Sequence, residues 1–472
     1  MLSLVLHAAL LLQKMEPATY FIDPISGSDL RDGSSSGQAW RSLERVSPQL
    51  RSGDTILVRA KSTLRGHISL ENLKGITITS YGKGEATLDG YAGSAITLSN
   101  CKDARIERLN VVGAGRLKND GVGIAVVDCQ ETTVADVKVS GFRLGGVEIR
   151  GGANVRLERV TAQENGAAGI QISSVEKRAR NIVITDCRAL NNPGDPKNLT
   201  NHSGNGIVVG GVDGCEIAYC EAANNGWDMP RQGNGPVGIW AWNASRITIH
   251  HCISHHNKSP GMDGGGFDFD GGVTDSVMHH NLSFSNAGAG YLLCQFKGAS
   301  LWKGNTIRDN VSFEDGSQNT QSGIALYLPD GMVNMSDFLV EHNVIVNSKL
   351  AVSTIGDVPG GTYRRNVFIS GGEIFKLSWK SGGFFNSKIE RNLAWGLGLA
   401  APILGNDSPL QTPSAWRASL GTVADPILRL PKSSTALPTD PRKLSRMEWF
   451  RPLPDSPCRE REKLTLGVRW DD

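Results

Sequence analysis

From about residue 104 the chain alternates apolar and polar positions in short runs that recur every 23 to 33 residues or so. Runs begin near 104, 132, 154, 181, 215, 246, 276, 305, 338, 362 and 388. Alternation with a period of two predicts strands. A repeat of this length with one variable loop per unit predicts a solenoid. One equivalent position runs Leu109, Val137, Val160, Cys187, Cys220, Cys252, and then Asn281, Asn310, Asn343, Asn366 and Asn392. Stacked asparagines can bond their amides from one coil to the next, which a single buried amide cannot do.

A second strand follows in each coil, opening at glycines such as Gly206, Gly238, Gly266 and Gly290. The first and third residues after each glycine are apolar: Ile207 and Val209, Ile239 and Ala241, Phe267 and Phe269, Tyr291 and Leu293. These columns are expected to point inward and the residues between them outward. The expected fold is all-β: a right-handed parallel β-helix over 61–402. An N-terminal strand and cap precede it over 18–60, and an irregular capping tail follows over 403–472. A short amphipathic helix over 40–46 is expected to cover the open end of the core. DPILRL, from 425, reads as one of the last strands.

Composition changes this picture little. Aromatics make up 6% and glycine contributes 56 of 472 residues, which suits a turn-rich β chain. A formal net charge of +2 gives no electrostatic case for nucleic acid. No apolar run reaches the roughly 18 residues of a membrane helix. Residues 2–12 form a short apolar leader-like core, so 1–17 is set apart as a signal segment and the protein is expected to be secreted or periplasmic. Eight cysteines without a C-x-x-C pair argue for inward, reduced thiols rather than zinc or disulfides. The protein is expected to act as a monomer.

The outward positions carry the chemistry. One coil offers Trp240 and Trp242, and the next offers Asp268 and Asp270. Gln171 precedes them in the same row and Tyr327 follows. Outward rings in a row suit the C–H faces of sugars, and carboxylates suit their hydroxyls. Long loops enter this face and carry Lys197, His202, Asp228, Arg231, Lys258 and Asp263. Two residues apart on one strand, Asp268 and Asp270 have Cα atoms about 6.6 Å apart. Like charges that close hold one proton tightly, which supplies an acid beside a base. Asp263 is a third candidate. Two other readings stay open: a calcium-stabilised turn with Asp263, Asp268 and Asp270 as oxygen ligands, and a purely structural turn. Pairs of histidines at 250–251, 255–256 and 279–280 look metal-like but alternate across strands and turns.

The stretch GIWAWN…ITIHHCISHHN…GGGFDFDGG…HHNLSFSNAGAGYLL resembles the pectate-lyase-like β-helix superfamily, and its layout is similar to family-nine pectate lyases. The resemblance covers about 19–400. It implies a base on a strand that reads G-F-K-L-G-G in that family and calcium ligands on the coil before. Here Asp268 stands at the lysine position, and Trp240 and Trp242 stand on the preceding strand. That departure points from β-elimination toward hydrolysis. The expected activity is a glycoside hydrolase on a polysaccharide or oligosaccharide. Asp268 and Asp270 would be acid and base or nucleophile, with Asp263 in reserve, and no cofactor would be required. Trp240, Trp242 and Tyr327 would contact sugar rings, while Lys258, Arg231, His202 and Gln171 would hold polar groups. The rivals are a calcium-dependent lyase with Lys258 or Arg231 as base, and a non-catalytic carbohydrate-binding protein.

Overall fold

The computed structural model describes residues 16–46, 48–174, 178–318, 322–377, 387–396, 403–404, 421–459 and 466–470. The leader-like segment 2–12 lies outside the described residues.

All named strands pair in parallel, coil upon coil, as a β-helix requires. One sheet of thirteen strands runs from Ile68–Glu71 to Ile403–Leu404. The other, of twenty-six strands, is creased lengthwise. Strand Thr133–Ser140 crosses the crease whole, and its two halves pair with the separate strands Arg156–Glu158 and Thr161–Gln163. The expected inward columns are inward: Ile239, Ala241, Phe267, Phe269, Tyr291 and Leu293 are fully buried.

The crease has a local cause. The residue before each ladder position sits in the left-handed region, as at His251, His280, Asp309 and His342 (φ between 51° and 55°). This turns the chain and swings the next side chain into the core. The sulfurs of Cys220 and Cys252 each accept the backbone N–H of the ladder residue one coil earlier, with Cys187 N–H to Cys220 Sγ and Cys220 N–H to Cys252 Sγ both 3.4 Å. Asparagines continue the ladder: Asn310 Oδ1 accepts from the Asn281 backbone and amide at 3.0 Å each. All eight cysteines are free.

A second asparagine ladder, absent from the sequence reading, runs Asn165, Asn192, Asn225, Asn257, Asn286 and ends at Asp315. Together with Ser254 and Ser283, whose Oγ atoms would lie 2.0 and 2.2 Å from a Cβ at Gly238 and Gly266, it leaves no room for a side chain in the glycine column. A Cβ at Gly238 would lie 2.6 Å from Asn257 Nδ2, and one at Gly266 would lie 3.0 Å from Asn286 Nδ2.

Both ends differ from expectation. No helix covers the N-terminal end. The segment holds two short 3-10 turns, Ser36–Gln38 and Leu43–Arg45. Trp40 is extended and bridges Ile22 in parallel, so its backbone is already used by the sheet. Asp29 takes the N–H groups of Arg41 and Ser42, and Pro48 closes the segment before a helix has length to form. The buried Trp40 ring stacks on Tyr20 at 4.9 Å and does the covering.

At the other end, strand Gly421–Val423 adds to the last coil, but DPILRL forms only an isolated antiparallel bridge, Leu428 to Pro452. The chain then straps one flank. Leu437, Leu444, Met447, Phe450, Val468 and Trp470 pack on an apolar strip that includes Ile253, Leu282, Phe284, Val311, Val344 and Val367. Arg469 clasps the buried Asp309 through two 2.8 Å bonds, and Arg442 clasps Asp186 through two at 2.7 Å.

Candidate active site

The outward side of the thirteen-stranded sheet is fixed by register. Trp240 pairs with Asp268, Asp268 with Leu292, and Leu292 with Ala325. A parallel row two residues on carries Trp242, Asp270, Cys294 and Tyr327, with Gly210 facing Trp242 and Cys294 facing Tyr327. The loops around 201–202, 234–235 and 263 fold over these rows. Together they enclose a cavity of about 520 Å³ lined by both tryptophans, Asp263, Asp268, Asp270, His202, Leu292, Cys294, Phe296 and Tyr327. This size suits a small ligand or a few linked rings.

The carboxylates sit in unequal surroundings. Asp268 lies on strand Gly265–Phe269, is 3% exposed, and its Oδ1 has no hydrogen-bond partner. Burial, aggravated by the charges of Asp270 and Asp263, pushes its carboxyl well above the usual range. Asp270, just past the strand, accepts the Gly271 N–H at 2.7 Å and lies beside the Cys294 thiol, which favours its ionised form. Burial still raises it to about 6. Of the two, Asp268 therefore holds its proton more tightly and Asp270 ionises more readily. Asp263 reaches in from the covering loop, where its Oδ2 accepts the Gly235 N–H at 2.9 Å.

Other expected residues divide. Tyr327 lines the cavity, with its hydroxyl raised by burial and by the nearby Cys294, Asp330 and Asp263. His202 lines it and is pushed down to about 4 by burial and the charge of Arg231. Arg231 does not line the cavity itself; its guanidinium is held on the carbonyl and side chain of Asn234, which does. Lys258 is exposed and stands near His256, not in the cavity. Gln171 lies in the Trp240 row but two coils before it and does not line the cavity. Lys197 and Asp228 pair with Asp120 and Arg116 of earlier coils.

The tryptophans are not the open pair the alternation implied. Trp240 is 3% exposed, because the loops lie over it and Val208, Val237 and Ala168 pack around it. Trp242 stays partly open, and its ring lies flat on Gly210, where a Cβ would come within 2.4 Å.

Sequence reasoning missed Leu292 and Cys294, although the alternation that placed Leu293 inward also places them outward. It also missed Phe296 and Asn205. Two of the three histidine pairs stack on each other coil to coil, His250 on His279 at 5.0 Å and His251 on His280 at 5.1 Å, while His255 stacks on Phe284 at 4.6 Å.

Among the described residues no three acidic, histidine or cysteine side chains converge closely enough to hold a cation. No described helix is long and apolar enough to cross a membrane.

The family model for the right handed beta helix region matches residues 71–195 and 197–392. The chain belongs to this family. Its fold is the pectate-lyase-like right-handed parallel β-helix. No curated protein sequence matches. Among solved structures, a GH136 lacto-N-biosidase from Eubacterium ramulus is 17% identical, with TM-score 0.57 over 80% of this chain and 67% of its own. The PL6 family alginate lyase AlyGC is 14% identical, with TM-score 0.55 over 92% of this chain and 59% of its own. Pectate lyase Pel9A is 13% identical, with TM-score 0.43 over 96% of both chains. At such identities the likeness is one of fold.

Proposed function

We infer that this β-helix protein is a glycoside hydrolase acting on an uncharged glycan, outside the cytoplasm. The observation that carries the reading is the pair of outward aspartates in one covered cavity with unequal surroundings, burial favouring the proton on Asp268 more than on Asp270. Glycoside hydrolysis needs that division: an acid for the leaving oxygen and a carboxylate as base or nucleophile. Asp268 fills the first role and Asp270 the second. Asp263 keeps negative charge nearby and helps Asp268 retain its proton. Trp242, Phe296 and Tyr327 offer ring faces to sugars. That a lacto-N-biosidase and an alginate lyase share this fold agrees with a glycan ligand.

Elimination from a uronide would need a cation to neutralise the substrate carboxylate; the described lining itself supplies three carboxylates and no lysine or arginine, so without an added cation a uronide would meet like charge there. Neither Lys258 nor Arg231 is placed to act as base.

A panel of neutral and uronate polysaccharides tests the proposal, with reducing ends and the ultraviolet absorbance of unsaturated products read together, with and without EDTA. The expected result is new reducing ends from a neutral glycan without that absorbance, insensitive to EDTA and abolished in Asp268→Asn. kcat/KM should rise with pH through about 6 as the pair loses its first proton. EDTA-sensitive absorbance from a uronate polymer would replace this reading with a lyase.

A further inference from the structure

His202 and Trp240 meet edge to face, with centroids 5.1 Å apart, and Asn205 joins them. Asn205 is buried at the start of strand Asn205–Gly210. Its Oδ1 accepts the Trp240 indole Nε1–H at 3.0 Å and the Val237 backbone N–H at 3.4 Å. Its Nδ2 faces the Ala167 carbonyl and His202 Nδ1, each at 3.3 Å. An indole N–H and a backbone N–H can only donate, and a carbonyl can only accept. Three independent neighbours therefore fix which end of the amide is oxygen. The nitrogen end, a donor, is the one that reaches His202. Nδ1 of His202 must then accept, so in the neutral ring the proton sits on Nε2.

No described residue hydrogen-bonds that Nε2, and the ring lines the cavity that holds the aspartates. Burial and the Arg231 charge keep the imidazole uncharged down to about pH 4. Asp263 and Asp270 add carboxylate oxygens to the same lining, so an imidazole N–H there stands among acceptors.

We propose that His202 presents its Nε2–H as a fixed hydrogen-bond donor to an oxygen of the bound sugar, and that Asn205 is the positioning residue that holds this tautomer. The proposal rests on the carbohydrate reading of the cavity but not on hydrolysis. Trp240, read from sequence as a stacking platform, acts here as an anchor: its N–H orients the amide that orients the histidine.

Long-range proton–nitrogen correlation on the full chain, labelled with 15N-histidine, tests it directly, with His202→Gln identifying the resonance. The expected pattern is Nε2–H from about pH 8 to about pH 5.5, with no titration near the ordinary histidine value of about 6.5. An Nδ1–H pattern, or a titration near that value, would overturn the proposal. In Asn205→Asp an oxygen replaces the nitrogen donor, so the proton should move to Nδ1 and the ring should titrate higher. An unchanged tautomer in a folded Asn205→Asp would also overturn it, and the wild-type spectrum decides if that variant does not fold. Titration with glucose, galactose and N-acetylglucosamine as neutral probes should shift the His202 signals with at least one of them. No shift with any would remove the sugar contact. A shift without cleavage of any glycan would support the contact and refute the hydrolase reading alone.

Discussion

Replacing Asp270 by asparagine should make the folded chain more stable at neutral pH while abolishing turnover. An aspartyl carboxyl in the unfolded chain ionises near 4. In the folded chain burial raises Asp270 to about 6. The folded state thus binds this proton more tightly, and its stabilising effect is complete below about pH 4. As pH rises through 6 that effect is lost, because the folded chain must then carry a buried charge. At about 1.4 kcal/mol per tenfold change in proton affinity, the cost reaches about 3 kcal/mol by pH 8. Asparagine has no such charge, and its side-chain oxygen can still accept the Gly271 N–H. Denaturant unfolding of both chains at about pH 4 and about pH 8 measures the effect. The variant should be nearly equal to wild type at the lower pH and up to about 3 kcal/mol more stable at the higher. A difference that does not grow with pH, or that favours wild type at pH 8, would refute the idea that the pair is held at the expense of stability.

Asn310→Leu tests the ladder. It removes bonds to Asn281, Met278 and Asn343 and leaves two buried Asn281 donors facing carbon. At about 1–3 kcal/mol per orphaned donor, unfolding should become easier by at least about 2 kcal/mol; a loss under about 1 kcal/mol would show that the ladder adds little. Gly210→Ala pushes a methyl into the Trp242 ring. If that ring stacks on substrate, KM should rise roughly 2- to 10-fold with kcat little changed, the equivalent of about 0.5–1.5 kcal/mol of contact. An unchanged KM would remove Trp242 from the binding surface.

The coils were readable because a period of two, repeated at one register, leaves few alternatives: Phe267 and Phe269 could only point in, and Asp268 and Asp270 out. What alternation does not encode is what lies over the outer face. Trp240 points outward from its coil and is nonetheless buried, because loops from distant positions in the chain cover it. Arg231 and Lys258 come from those loops and turn to local partners or solvent. The second ladder was hidden for another reason. Asn192, Asn225 and Asn257 sit where each short strand ends, and in sequence a buried stacking asparagine there looks the same as a turn asparagine. At the N-terminal end, amphipathic spacing over 40–46 suggested a helix, but the bridge from Trp40 to Ile22 and the claim of Asp29 on two N–H groups decided otherwise.

The flank strap sets an order of events during synthesis. The strip that begins at Ile253 is made well before the segments around Leu437 and Trp470 that cover it. At about 5–20 residues per second the strip waits roughly 10–40 s for its cover. Through that interval the nascent coils can stack and bond, yet Phe284, Val311 and Val344 face water along one side. The segments that cover the strip are made after the coils they protect, and their arrival ends its exposure to water.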